Sequence, residues 1–424
     1  MAQRISLLWT PRFEGASRAE RKGCSYESYL PDPLAGWDLN LPADLAADIA
    51  DAEAAARALN AAGTSHVSLE GLARFLLRAE SVASSKIEGI EASPQRLMRA
   101  EALLARGGDA ADRAAAEILA NIGAMQDAVE RASAVACFEL GDLLAVHGRL
   151  MAAAPATSEP GLVRTVQNWI GGSSHNPCGA SFVPPPPEHV AALLGDLIAY
   201  LNGDEHSPLV QAAVVHAQFE TVHPFVDGNG RTGRALIHMV LRRRGLTLRF
   251  VPPISLILAT WSAAYVGALT AFRHDGAPDA PERSRACHGW LRTFASATLR
   301  ACRDAERYAT EIEAVEAEWR HRLGRIRADS TVDRLLRILP GAPVLTAQSA
   351  AGMTARSEVA TSAAITRLVA AGILAQRNVG RRRYRVFEAG DVARLFNSLE
   401  RSLASPSGDT VSAPPVRPVP RRPD

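Results

Sequence analysis

Apolar residues recur at three- and four-residue spacing through segment after segment of this chain, which predicts a mainly helical protein. In PLVQAAVVHAQFETV, Val210, Val214, Ala217 and Phe219 carry that period, and Pro224 ends the helix near Val222. A second helix is expected from Arg231, with Leu236, Ile237, Val240 and Leu241 on its apolar face and Gly245 as its stop. Upstream, Gly71 to Gly89 reads as a helix through Leu72, Phe75, Leu76, Val82 and Ile87. Between Arg300 and Ala328, Tyr308, Ile312, Val315, Trp319, Leu323 and Ile326 form one narrow stripe on a charged helix, close to a coiled-coil seam. Packing on the chain's own core and self-association as a homodimer both fit such a stripe.

Punctuation divides the chain into an irregular start (1–25), an N-terminal region (26–110), a core (111–300) broken by a loop from His274 to Ser284, a connector helix (301–329), a small unit (330–396) and a Pro-rich, disordered tail (404–424). In the small unit, STVDRLLRILPG is a short amphipathic helix and a second starts at Thr346. Ser357 is a good N-cap for a third, whose Ile365, Leu368 and Ile373 face inward. AQRNVGRRRYRVFE follows as a strand pair turning near Gly380. This order resembles a winged helix-turn-helix, in which the second helix enters the major groove and the wing touches phosphate. Arg381, Arg382, Arg383 and Arg385 suit such a wing, while Thr361, Ser362, Thr366 and Arg367 are the polar readers available. DNA binding and protein contact both remain open.

Composition adds little that is specific. With 424 residues and 47% hydrophobic content the chain can bury substantial cores. A net charge of +2 points neither toward nor away from nucleic acid. The five cysteines, widely spaced and odd in number, suggest reduced thiols and no zinc site. No signal-type apolar segment and no run of 18 apolar residues is present, so a cytoplasmic protein without membrane partners is expected.

The candidate chemistry is concentrated in HPFVDGNGRTGR, His223 to Arg234. Asp227-Gly228-Asn229-Gly230 is a turn that feeds a helix N-terminus, where bare amides and a partial positive charge receive anions. Arg231 and Arg234 leave the same side of the first turn and can fork onto phosphate. Asp227 is a hard oxygen ligand suited to Mg2+, and His223 can take a proton near neutral pH. There is no GxxxxGK[ST], and Lys22 and Lys86 are the only lysines, so phosphate contacts fall to arginine and backbone.

This segment matches, position for position, the HPFx[DE]GNGRxxR signature of the Fic (Fido) family. GLVRTVQNWIGG and ASFVPPPPEHV, within Gly161 to Val190, agree with it, and the resemblance covers roughly Tyr26 to Arg300. It implies a Fic-type helical core with a small β-hairpin flap that binds ATP with Mg2+ and transfers AMP to a Ser, Thr or Tyr hydroxyl of an unidentified target protein. By resemblance His223 is the base, Asp227 the Mg2+ ligand, and Gly228, Asn229 and Gly230 the anion cradle. Arg231, Thr232 and Gly233 belong to the ATP loop, and Arg234 grips the γ-phosphate. Gly179 to Val183 is the flap, against which a target peptide adds as a strand. Tyr265 answers to one of two aromatics around the nucleotide base, the other being replaced here by Ala264. Ser84 and Glu88 match an inhibitory [ST]xxxE[GN] motif, in which the glutamate competes with γ-phosphate for Arg234. AMP removal, and a DNA-binding regulator that uses the core as a nucleotide sensor, are the alternatives.

Overall fold

A computed structural model describes residues 2–10, 23–61, 69–104, 108, 111–173, 175–275, 277, 280–377 and 385–403. Helices dominate it. The chain divides into two compact units that cut across its sequential order. One comprises Met1–Glu53, Gly123–Leu246 and Ala263–Ser296, the other Ala54–Ile122, Thr247–Ser262 and Ala297–Asp424.

The first unit opens with a strand pair, β1 (Gln3–Trp9) antiparallel to β2 (Cys24–Leu30), in register from Gln3 opposite Leu30 to Trp9 opposite Cys24. The expectation of an irregular start is therefore corrected. Ile5, Leu7 and Trp9 are partly buried and alternate with the exposed Arg4, Ser6 and Leu8 at the period of a strand. Cys24 is bonded to Cys178, which corrects the expectation of reduced thiols for that pair, while Cys137, Cys287 and Cys302 are free.

At the centre lies α7 (Pro208–Val222), buried along nearly its whole length. It follows helices α1 (Ala43–Ala61), α2 (Leu69–Ile87), α3 (Pro94–Leu104), α4 (Arg113–Ala134), α5 (Leu140–Leu150) and α6 (Pro187–Asn202). A helix enclosed on every side has no solvent face for its polar residues, so each of them needs a protein partner. Gln211 donates to the Tyr200, Leu201 and Gly203 carbonyls, closing the C-terminal end of α6. Gln218 donates to the Asp32 carbonyl, Thr221 to that of Ala217, and Trp290 to that of Ala213. Against α7 packs α8 (Asn229–Arg243), with α5 beside it. Its start at Asn229, two residues before the expected Arg231, follows from Gly228, whose carbonyl accepts from Thr232 and so already belongs to the helix.

In the second unit α2 packs on α9 (Ile254–Thr260). The buried Glu80 carboxylate accepts from the Ser255 amide at 2.7 Å and from its hydroxyl, capping the start of α9. Toward the other end of α2, Asn121 donates to the Ser81 carbonyl and the Ser85 hydroxyl. The helix α10 (Ser262–Phe272) precedes α11 (Pro281–Leu323), a single 43-residue helix. The helix expected from Arg300 starts earlier, at Pro281, because nothing between Pro281 and Leu323 breaks it, and the two units divide within it, between Ser296 and Ala297. Its stripe packs inward: Tyr308 lies against Phe75, and Trp319, Val315, Leu323 and Ile326 join the C-terminal core. That burial accounts for the stripe.

That core is built by α12 (Thr331–Ile338), β3 (Val344–Thr346), α13 (Ala347–Thr354), α14 (Glu358–Ala370), β4 (Ala375–Gln376), β5 (Val386–Glu388) and α15 (Gly390–Leu403), with an antiparallel sheet in the order β3-β5-β4. Ser330, Thr346 and Ser357 cap their helices through their side chains. Ile365, Leu368 and Ile373 are buried, as their spacing predicts. Arg381, Arg382, Arg383 and the 404–424 tail lie outside the described residues. Among the described residues no single helix is long and apolar enough to cross a membrane.

The α2 helix meets the α12–β3 turn through two glycines. A methyl group on Gly71 would stand 2.4 Å from the Arg337 carbonyl oxygen, and one on Gly341 would stand 2.1 Å from the Arg74 Cβ. Gly341→Ala should therefore lower stability by about 1–3 kcal/mol through overpacking. Gly352→Ala, on α13 with nothing within 4 Å, should be neutral or stabilising. Thermal melts followed by circular dichroism separate the two; equal melting points would contradict the close packing.

Candidate active site

Pro208 starts α7 and Pro224 lies just beyond its end, so the helix closes on His223 as its C-cap. His223 takes the left-handed conformation, φ 49° and ψ 59°, with its amide donating to the Phe219 carbonyl. Its side chain keeps 18% of its surface, and Nδ1 lies 3.9 Å from a carboxylate oxygen of Glu220, one turn back.

The next five residues bring the chain round to α8. Asn229 closes this turn from within: its side-chain oxygen accepts from the Phe225 amide (2.9 Å) and its side-chain nitrogen donates to the Phe225 carbonyl (2.8 Å). Gly228 has φ +76°, and a Cβ there would lie 2.6 Å from the Met151 sulfur, so its place demands glycine for both conformation and space. Asn229 and Gly230 stand in the first turn of α8, where the helix supplies no carbonyl for their amides. The Asp227 side chain is 56% exposed at the mouth, one oxygen accepting from the Gly228 amide at 2.6 Å. Arg231 is buried, 3.8 Å from Asp227 and in contact with the Met151 sulfur, and Arg234 is buried one turn further on.

Three residues grouped with the nucleotide loop by sequence serve other ends. Thr232 is fully buried and its hydroxyl returns to the Gly228 carbonyl. Gly233 faces α7, where a Cβ would stand 2.5 Å from a Glu220 carboxylate oxygen and 2.9 Å from the Phe219 ring, so it lets the two helices approach. Tyr265 is buried, with its hydroxyl 2.8 Å from His216 Nε2 and its ring against His216 and Trp290. It is a core residue, which corrects its expected place at a nucleotide base.

The flap is shorter than a hairpin. Ile170 and Phe182 form one antiparallel bridge, and Gly171 and Gly172, both at positive φ, allow the close return past Ser181 and Gly179. Arg273 lies 3.6 Å from the centre of the Phe182 ring, and the Tyr29 amide donates to the Val183 carbonyl. The prolines that follow cannot donate but do accept. Pro184 takes bonds from Ser28 and Gln167, and Pro185 takes one from Arg164.

Sequence reading missed His147, Arg164 and Asn168. His147 stacks on Phe225 with centroids 3.7 Å apart. Its Nδ1 accepts from the Gly161 amide, so Nε2 carries the proton and donates to the Asp227 carbonyl, 2.9 Å away. Burial holds this imidazole below its usual range. Arg164 and Asn168 receive the carbonyls of the His223 turn. An arginine and an asparagine four apart in GLVRTVQNWIGG were the available signal. Ser84 and Glu88 belong to the second unit: Ser84 is buried in the last turns of α2, and Glu88 is exposed just past its end.

An exposed carboxylate beside a helix N-terminus fits Mg2+, which commonly takes one or two protein carboxylates and completes its shell with phosphate and water. Among the described residues no cluster of three or more His, Cys, Asp or Glu forms a metal cage, and such an ion needs none. The ensemble can thus receive a polyanion and hold a base at its edge.

Residues 137–241 match the Fic/DOC family, and residues 46–130 match the Fic/DOC family N-terminal region. The chain thus contains a Fic/DOC domain preceded by the N-terminal region of that family. It is 33% identical over 129 residues, 30% of its length, to the protein adenylyltransferase fic-1 of Caenorhabditis briggsae. It is 41% identical over 69 residues, 16% of its length, to a probable protein adenylyltransferase of Aquifex aeolicus. Each match spans 22% of the relative's own length. Among solved structures, a Fic family protein from Desulfovibrio desulfuricans G20 aligns over 83% of this chain and 97% of its own, at 20% identity and a TM-score of 0.48.

Burial pushes the His216 imidazole down to about 3, and the nearby Arg234 cation acts in the same direction. The unfolded chain takes up this proton near 6.5 and the folded one does not, so the unfolded state binds more protons in between. The associated stability is complete above pH 6.5 and falls by roughly 1.4 kcal/mol per unit as pH drops toward 3. His216→Asn should flatten the fall in melting temperature between pH 7 and 5; an unchanged slope would show that His216 does not govern it.

Proposed function

We propose that this protein transfers AMP from ATP to a Ser, Thr or Tyr hydroxyl of a target protein, and to itself. The observation that carries the reading is the convergence of a partly exposed imidazole, an exposed carboxylate and two buried arginines around one turn at the start of α8. Phosphoryl-type transfer depends on positioning and charge stabilisation, and this is the set of groups it needs. His223 takes the proton of the incoming hydroxyl as its oxygen bonds to the α-phosphorus and the bond to pyrophosphate breaks. With Glu220 beside Nδ1, Nε2 is the nitrogen for that proton, and the carboxylate steadies the imidazolium. The amides of Asn229 and Gly230 and the α8 dipole receive phosphate oxygens, and Arg234 holds the γ-phosphate. Asp227 would hold Mg2+, which neutralises phosphate charge when bound.

Activity in this reading is restrained by Glu88, whose carboxylate competes with the γ-phosphate for Arg234. The relatives' names and the intact signature support transfer over the alternative of a DNA-binding nucleotide sensor. That alternative loses support at α14, where Thr361 is buried and Arg367 donates to the Leu323 and Arg325 carbonyls. Arg385, the wing arginine among the described residues, lies over Phe387.

Two substitutions test the proposal with ATP and Mg2+, followed by intact-mass spectrometry for adenylate adducts. Glu88→Gly should raise self-modification by at least roughly tenfold, about 1.4 kcal/mol at the barrier. His223→Ala in that background should lower it by on the order of 10²–10⁴-fold while ATP binding persists. Equal labelling with and without His223 would refute the assignment of the base. Equal labelling with and without Glu88 would refute the restraint.

A further inference from the structure

His223 occupies a conformation that L residues rarely adopt, and it does so immediately before a proline, which itself favours extended backbone at the preceding position. Something outside the turn must hold it there. Two residues, four apart on the segment leading into the flap, meet that need. The Arg164 guanidinium donates to the Val222 carbonyl at 3.3 Å and to the His223 carbonyl at 2.8 Å, and its own amide donates to the Pro224 carbonyl at 2.9 Å. Asn168 donates to the His223 carbonyl at 3.1 Å and to the Phe225 carbonyl at 3.0 Å. Four successive carbonyls, from Val222 to Phe225, are thus received by this pair.

We propose that Arg164, assisted by Asn168, is a positioning residue that sets the backbone of His223 and so aims its imidazole. Arg164 is 1% exposed, and all its guanidinium bonds go to backbone carbonyls. The negative end of the α7 dipole makes such a place tolerable for a cation, because the last carbonyls of a helix have no partner of their own. Burial brings its pKa down to about 10, which leaves it charged at neutral pH. A lysine would supply a point charge without the planar fork that reaches carbonyls on three segments at once. One of these belongs to Pro185, so the same guanidinium ties the root of the flap to the turn. Asn168 fastens the next link, since Phe225 is also the residue clasped by the Asn229 side chain.

The inference rests on the adenylyl-transfer reading for its kinetic arm alone. Arg164→Lys, Arg164→Met and Asn168→Ala are made in the Glu88→Gly background, with melting curves recorded for each. Asn168→Ala is the mild variant that keeps the buried cation. AMP incorporation should show kcat lowered by on the order of 10²-fold for Arg164→Met, with less loss for Arg164→Lys and Asn168→Ala, because a reacting group displaced by about 1 Å costs that much. KM for ATP should stay within roughly threefold, since the cradle amides of α8 are unaltered. Hydrogen exchange, read without ATP, should quicken at residues 222–227 and not along α8. Exchange at the turn that matches the parent in Asn168→Ala and in any folded Arg164 variant overturns the proposal, as does a matching loss in kcat and in ATP affinity. If the Glu88→Gly parent transfers no AMP, the transfer reading falls, and hydrogen exchange still decides the role of Arg164.

Discussion

The site depends on how the end of a buried helix is capped. Because α7 runs through the middle of its unit, its last carbonyls cannot turn to water, and the chain must reverse within a few residues to begin α8. Arg164 and Asn168 receive those carbonyls from outside the turn, while Asn229 clasps Phe225 from within. His147 supports the floor through its stack on Phe225 and its bond to the Asp227 carbonyl. With the backbone fixed in this way, the His223 imidazole and the Asp227 carboxylate are the side chains of the turn that reach solvent with chemistry to offer.

The same constraint sorts the glycines. Gly228 is required by its positive φ and by the Met151 sulfur, and Gly233 by the approach of α8 to Glu220 and Phe219 on α7. A single glycine-rich run therefore serves the turn at one end and helix packing at the other. Polar residues on α7 follow a similar rule. Gln211, His216 and Gln218 are buried there, and each bonds to a neighbouring element.

In the second unit, charge is used for anchoring. Glu80 caps α9, Arg78 pairs with Glu101, and Asn121 grips the serines of α2. The helix that carries Ser84 is thus tied along much of its length, and Glu88 follows directly after its end. The close approaches of Gly71 to the Arg337 carbonyl and of Gly341 to Arg74 tie the other end of α2 to the turn before β3.

Several features were legible without coordinates because they are local. The three-to-four spacing set the helices, Pro224 ended α7, Ser357 capped its helix, and the signature run marked the turn. What folding decided was everything that depends on distant neighbours. Tyr265 became a core residue because His216 and Trp290 flank it, and the stripe on α11 met Phe75 and the C-terminal core. Cys24 found Cys178, and α11 continued through residue 300. The partners of the His223 carbonyl lie more than fifty residues upstream. No spacing rule links a helix end to a cap that far away, because that pairing is made only when a tertiary fold brings the two backbones together.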